Sequence, residues 1–556
     1  MDMKLLLLFF IGFFVFTKLL RYVLLVKWLL GLRFKKGDFE LRSSDEIASH
    51  LKELFDIYED RLINLGFSFS HCQSIDEVVL PHSKKWNKVY YNAKERCYGC
   101  ASISLMPDQN FPVNVEFITF FDDGDKLITI NGRDFDFIAE LPNSILVDPY
   151  AATLEEQFLA HVEKQSLLIH KTPITKLPEE YLKSEEESVS DYFKSLEDGG
   201  YVCIENGCYK LRLFAALRYG LKLIKGYNKL KAMRKNIAKL SKEQSPPIVE
   251  VPVDVEVEAF NRAGELLTPR KASIAGSLIV LLVSVLLFMV SFKVAFSMNI
   301  AMILSIVVVL FIHELGHYLG MVLFKCKDAQ IFFIPLIGAA TIGNHENLAP
   351  WKKIVLFLLG PAPGIFIGTC CLLIGGATQL DWLRSFGALL LILNYINLLP
   401  IVPLDGGRIF ELILFSRFLF LKSVFILLSF FAFVLFAVYT GDPIVMGISF
   451  IILFSIVPAV SKNKECAKLK KKIKAENIEL TKEKILPQIF IMFKQSRFNK
   501  LPFSNKRNIA KELLESLTIK PPSLGATIFS LLLYFIVLLM PLFVAISYGF
   551  LKGFLS

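Results

Sequence analysis

The sequence predicts a multi-span α-helical membrane protein, with about eight spans, that also carries an α+β soluble domain. Three observations lead there. Of the 556 residues, 54% are hydrophobic, and the mean hydropathy of +0.50 is that of the membrane class. Apolar runs long enough to cross a bilayer occur near 4–26, 274–296, 299–324, 353–376, 384–400, 421–440, 443–460 and 525–550; the run at 384–400 is short and ends in Asn397 and Pro400. The stretches 31–270 and 461–523 are polar by contrast. The expected organisation is a membrane anchor (1–30), an α+β domain (31–270), a polytopic core (271–460), a basic insertion (461–523) and a final span (524–556).

The first apolar run, KLLLLFFIGFFVF, has its basic residues behind it and no small-residue cleavage site. A retained anchor is expected rather than a signal peptide. Lys18, Arg21, Lys27, Arg33, Lys35 and Lys36 follow that span, Arg270 and Lys271 precede the second, and Lys325, Lys327, Lys352 and Lys353 lie after the third. Further bases stand at Arg408, Arg417 and Lys422 and along SKNKECAKLKKKIK from Ser461, whereas the opposite loops hold little beyond Lys293 and Arg384. One alternating topology puts every basic loop, with 31–270 and 461–523, in the cytosol and both termini outside. The net charge of +10 then faces anionic lipid headgroups, which are the expected partners of these segments. The apolar PQIFIMF, Pro487–Phe493, is expected to dip into the membrane interface. No nucleic-acid-binding motif is visible.

Within 31–270, SDEIASHLKELFDIYEDRLINL (44–65) has helical periodicity and opens on capping residues. GFSFSHC, KVYYNA, CYGCASISLM, VNVEFITFF and KLITIN read as strands, the last two joined by a turn at Asp122-Asp123-Gly124-Asp125. Helical patterns return near 153–170, 176–196 and 210–242, so the sheet is expected first and most helices after it. DDGD lacks the spacing of a calcium loop. The nine cysteines include Cys97 and Cys100 at ligand spacing, and Cys203 and Cys208 could supply a second pair; a structural zinc and a set of unpaired thiols are both open. A disulfide framework is not expected in a reducing compartment.

The chemistry lies in VVVLFIHELGHYLGMVLF, Val307–Phe324. Ionisable groups at bilayer depth mark a functional site by default. On a helix His313 and His317 share one face, about 5–6 Å apart at Cβ, and two such imidazoles can reach one zinc. Glu314 stands beside the first and can serve as general base; a polar helix interface is the bland alternative. A catalytic zinc commonly has a third protein ligand. The candidate is Asp405 in NLLPIVPLDGGR, where Pro400 and Pro403 break the helix and Gly406 and Gly407 permit a tight turn; a helix-capping aspartate is the other reading.

Together HELGH (His313–His317) and Asn397, Pro400, Leu404, Asp405 and Gly406 resemble the site-2 protease family of intramembrane zinc metalloproteases, whose pattern pairs HExxH with Asn-x-x-Pro-x-x-x-Leu-Asp-Gly. The resemblance covers roughly 299–417. It implies one zinc on His313, His317 and Asp405, with Glu314 as base and a membrane-protein or peptide substrate cut in or near a transmembrane segment. It also implies that QIFFIPLIGAATIGNHE (Gln330–Glu346), which reads as Gly-interrupted strand, forms a membrane-embedded β-hairpin whose edge takes an extended substrate. The family often has a Gly-rich or Gly-Pro-x-x-Asn element in its middle core span; here Gly360 and Pro361 lead to Gly364 and not to Asn. Gly360, Gly364 and Gly368 then offer a smooth face for packing, beside a weaker substrate-contact role shared with Asn397, Pro400 and Gly406. His345 is expected in a surface loop. The alternative function is a zinc-containing membrane component that binds or helps export a peptide without cutting it; an intact Glu314 argues for the enzyme.

Overall fold

The computed structural model describes residues 18–19, 21–76, 84–108, 111–237, 239, 249–267, 274–296, 298–334, 338–344, 348–401, 404–415, 419–440, 465–518 and 522–555. They form two compact units. One gathers Arg21–Arg270 with Phe490–Asn508, and the other takes in Lys271–Ile489 and Ile509–Ser556.

The first unit is built on β1 (Phe39–Arg42), β2 (Ser68–Asp76), β3 (Lys84–Asn92), β4 (Cys97–Asp108), β5 (Phe111–Phe121), β6 (Lys126–Thr129), β7 (Ser144–Val147) and β8 (Pro173–Ile174). The strands lie in chain order from β1 to β7, with β8 on β5. All pairs are antiparallel except β6 with β7. Asp122–Asp125 makes the turn between β5 and β6, as expected, with Phe120 opposite Lys126. Helices α1 (21–31), α2 (Ser49–Asn64), α3 (Leu154–Ser166), α4 (Pro178–Asp198), α5 (Leu213–Ile237) and α6 (Val253–Leu267) surround the sheet, and a small ladder of β9 (Val202–Glu205) and β10 (Cys208–Leu211) lies between α4 and α5. The four-residue strands β7, β9 and β10 interleave with the helices, so the order is more mixed than sheet-then-helices.

Both faces of the sheet are covered. Cys97, Ala101, Val113, Val115 and Phe117 pack with Leu54, Phe55, Tyr58 and Leu62 of α2 on one face, and Tyr98, Cys100, Ile118 and Phe120 with Tyr181 of α4 on the other. Strands buried on two faces need apolar residues at consecutive positions, which explains runs such as VEFITFF. The same alternation answers the cysteine question: Cys97 and Cys100 point to opposite faces of β4. Cys203 pairs with Lys210 and Cys208 with Glu205, so neither pair converges on an ion, and all nine thiols are free.

The second unit is helical: α7 (Ile274–Phe296), α8 (Ile300–Leu323), α9 (Pro350–Leu359), α10 (Pro361–Thr378), α11 (Asp381–Leu398), α12 (Asp405–Phe410) leading into a π-helical turn (Glu411–Phe415), and α13 (Leu419–Thr440). After these come α14 (465–475), α15 (Lys482–Lys494), α16 (Phe503–Thr518) and α17 (Leu524–Leu555). Among the described residues three helices are long and apolar enough to cross a membrane: Ile300–Leu323, Pro350–Thr378 and Leu524–Ser547. Other predicted segments appear as α7, α11 and α13, while 4–17 and 443–460 lie outside the described residues, as do Pro403 and His345. Between α8 and α9, β11 (Lys327–Ile334) pairs antiparallel with β12 (Gly338–Asn344), Ile331 opposite Thr341. Ser284 of α7 accepts a hydrogen bond from the Phe333 amide at 3.0 Å and so fixes the hairpin.

The insertion differs from its sequence-based reading at one point. Phe490 and Phe493 of PQIFIMF are fully buried, packed among Phe260, Phe498 and Phe503, so this apolar patch is covered by protein and not presented to an interface. Beside it Lys506 and Glu256 form a 2.7 Å ion pair, 3% and 1% exposed. Burial raises the Glu256 carboxyl and Lys506 holds it back. Breaking such a pair strands a charge, at a cost of about 3–5 kcal/mol. Lys506→Met should destabilise the protein by that much in denaturant unfolding of the purified full chain, and the Lys506→Met/Glu256→Met double variant should recover most of the loss.

Candidate metal centre

Asn299 starts α8 by accepting a 2.7 Å hydrogen bond from the Met302 amide, and two dozen residues of helix follow, with His313 and His317 one turn apart. Both are buried, at 5% and 7% exposure, as is Glu314 at 6%. Each imidazole is aimed by its inner nitrogen. His313 Nδ1–H donates to Asn394 Oδ1 of α11 at 2.8 Å, and His317 Nδ1–H donates to the Leu356 carbonyl of α9 at 3.0 Å. The Nε2 atoms are left facing one another at 3.2 Å. Asp405, at the first turn of α12, points Oδ2 at them, 3.0 Å from His313 and 3.2 Å from His317. Of its two readings, the inward-turned carboxylate is therefore the one found.

This donor set fits a metal ion. With both Nδ1–H groups engaged elsewhere, the two Nε2 atoms and Asp405 Oδ2 face one point, a nitrogen and oxygen donor set of the kind that holds zinc. Tetrahedral ligands at about 2.0–2.1 Å stand about 3.3 Å apart, within a few tenths of the separations here. Among the described residues, His313, His317 and Asp405 are the one group of His, Cys, Asp and Glu close enough to hold an ion.

Against known proteins, no family model matches the chain, and no solved structure matches it. Two curated proteins do. Stage IV sporulation protein FB of Bacillus subtilis is 29% identical over 110 residues, 19% of this chain and 38% of that protein. A zinc metalloprotease of Methanocaldococcus jannaschii is 28% identical over 117 residues, 20% of this chain and 34% of that protein. The match thus spans little more than a third of either relative. Both are site-2 protease family members. The chain resembles the site-2 protease family.

In that light the glycines have a structural account. A Cβ at Gly316 would strike the Leu359 carbonyl, and one at Gly360 would strike the His317 ring. Side chains there would hold α8 off α9 and crowd the Nε2 face. A Cβ at Gly406 would meet the Leu398 carbonyl, so the start of α12 can abut the end of α11 and bring Asp405 inward. At Gly364, where the site-2 protease pattern often has asparagine, a Cβ would collide with the Asn394 amide, and at Gly368 it would press less closely on Leu390 and Gly387, at 2.9 and 3.0 Å.

Two residues at the site escaped the sequence reading. Asn394 is fully buried; its Nδ2 donates to Leu390 O at 2.7 Å, which orients Oδ1 toward His313. A polar side chain inside the apolar LLILNYINL was the available signal. Thr341 of β12 donates from Oγ1 to Glu314 Oε2 at 2.7 Å, and the same hydroxyl lies 3.0 Å from the Glu314 carbonyl. Asn397, by contrast, bonds back to Leu393 O of its own helix, and Pro400 lies just past the end of α11. Partners that orient metal-ligating histidines are worth about 10–100-fold in affinity. Asn394→Leu should weaken cobalt binding by that factor in a spectroscopic titration, while Asn397→Leu leaves it near wild type.

Proposed function

We propose that the chain is an intramembrane zinc metalloprotease that hydrolyses a peptide bond in or near a transmembrane segment of a membrane-protein or peptide substrate. The observation that carries this is the convergence of His313, His317 and Asp405 on one point, with Glu314 one residue along the same helix. The name of the archaeal relative, a zinc metalloprotease, supports the metal and the reaction class.

His313, His317 and Asp405 would hold one zinc, which when bound supplies Lewis acidity toward a peptide carbonyl and a lowered pKa for water. Glu314 takes the proton of the attacking water and returns it to the departing amine. Thr341 donates to one of its oxygens and so leaves the other for that task. The scissile stretch of a helical substrate has to unwind before attack, because its carbonyls are engaged in the helix. β12 pairs with β11, and a two-stranded ladder of this kind is an element to which an extended chain could add. We read 31–270 and the insertion as cytosolic from the distribution of bases. On α14, Lys468, Lys471, Lys472 and Lys474 are exposed, with Cys466, Leu469 and Ile473 buried, a face suited to anionic headgroups.

Glu314→Gln should retain zinc by elemental analysis and lose about 10²–10⁴-fold in cleavage of a co-expressed library of membrane peptides. Equal cleavage by variant and wild type overturns the base role. A wild type that binds such peptides and cuts none favours the export or binding component. For orientation, cysteines introduced at the exposed Leu177 and Lys474 should resist an impermeant maleimide in intact cells and react after permeabilisation.

A further inference from the structure

The wall of a large cavity in the first unit carries a cation without a counter-ion. Lys85 lies on β3 opposite Ile75 of β2 and lines a cavity of about 890 Å³, a size typical of small-molecule sites. Its ammonium makes no hydrogen bond or ion pair with any described residue. Burial, and then the nearby Arg133 guanidinium, push its pKa down. Four other cations on this wall have carboxylate partners: Arg61 with Glu155 at 3.3 Å, Arg133 with Glu116 at 2.9 Å and Asp136 at 2.8 Å, Lys126 with Glu185 at 2.7 Å, and Arg262 with Glu258 at 2.8 Å. Three of the wall's carboxylates are thereby engaged. Asp76, at the end of β2, is the remaining acid on the wall and forms no ion pair with a described cation. Much of the rest is apolar, with Phe135, Phe137, Ile138, Val189, Phe193 and Met233 facing the space.

A desolvated charge is costly unless it is paired, and apolar wall exposed to a cavity gains from being covered. One kind of ligand satisfies both. We propose that this cavity binds an amphipathic anion, a long acyl chain ending in a carboxylate or phosphate, with its head group at Lys85 and its chain along the aromatic and aliphatic wall. Such molecules come from two sources, free fatty acids and lysophospholipids, which share this chemistry. The site is separate from the metal centre and stands whether or not the chain is a protease.

The test uses the purified full chain in lipid nanodiscs and three photoreactive probes of equal chain length: a diazirine fatty acid, the matching alcohol and the matching lysophosphatidic acid. Labelled peptides are mapped by mass spectrometry. An anionic probe should label peptides spanning 128–141 and 189–196, and the alcohol should label them about tenfold less, the worth of one charge-assisted hydrogen bond. Lys85→Gln should reduce the anionic probe to the level of the alcohol, whereas Lys85→Arg and Asp76→Asn should keep it. Whichever head labels more strongly identifies the source. Equal labelling by acid and alcohol in the wild type overturns the proposal, as does unchanged labelling in a normally melting Lys85→Gln. If that variant does not fold, the wild-type head-group comparison and Lys85→Arg still decide.

Discussion

The second unit depends on one constraint: a cluster of two imidazoles and a carboxylate, enclosed by apolar helices, has to find a partner for every polar atom without water. The solution takes one element for each need. α8 supplies both rings, α11 supplies the Asn394 oxygen to one, α9 supplies the Leu356 carbonyl to the other, and α12 supplies Asp405. Because an unmatched buried donor costs about 1–3 kcal/mol, these bonds set the separations of four helices as firmly as apolar packing does. The close approaches then demand glycine where backbones meet, at Gly316, Gly360 and Gly406. The break between α9 and α10 belongs to the same solution. Gly360 ends one segment and Pro361 opens the next, so the chain presents the Leu356 carbonyl to His317 and leaves room at its Nε2.

How much of this was legible follows from where each interaction is encoded. His313 and His317 sit within one turn, so local periodicity places them together. Asp405 is 88 residues from His317, and only the long motif around it linked the two. Asn394 and Thr341 were missed because their partners lie 81 and 27 residues away and no local pattern marks a side chain for a distant acceptor. Asn397 attracted attention by belonging to the motif, yet Asn394, one helical turn earlier, holds the ring. In the first unit the long strands and the DDGD turn were readable from alternation, while four-residue strands such as β7 carry too few residues for a period. PQIFIMF shows the same limit: an apolar patch in a membrane protein has two possible covers, and Phe260 and Phe503 provide the one found.

The two units treat buried charge differently. In the candidate metal centre two imidazole nitrogens and a carboxylate oxygen converge on one point, a set that could hold a cation. In the first unit several buried charges are neutralised by short pairs such as Lys506 with Glu256 and Lys126 with Glu185, and His161 is kept neutral between the hydroxyls of Thr119 and Thr129, its pKa pushed by burial to about 3. Against that background the Lys85 ammonium, on a cavity wall with no carboxylate paired to it among the described residues, is a place where a ligand would supply the missing partner.

Under the protease reading, Thr341 joins two parts of the mechanism, the base and the substrate-binding strand. Its hydroxyl holds Glu314, and its backbone belongs to β12, the strand offered to an extended substrate. Side chains alternate across a strand, so residues beside Thr341 can meet a substrate while Thr341 itself turns to α8. A substrate that pairs with β12 would stiffen the strand that positions the carboxylate. The hairpin would then act on both binding and proton transfer, because the base takes its orientation from the strand that receives the chain to be cut.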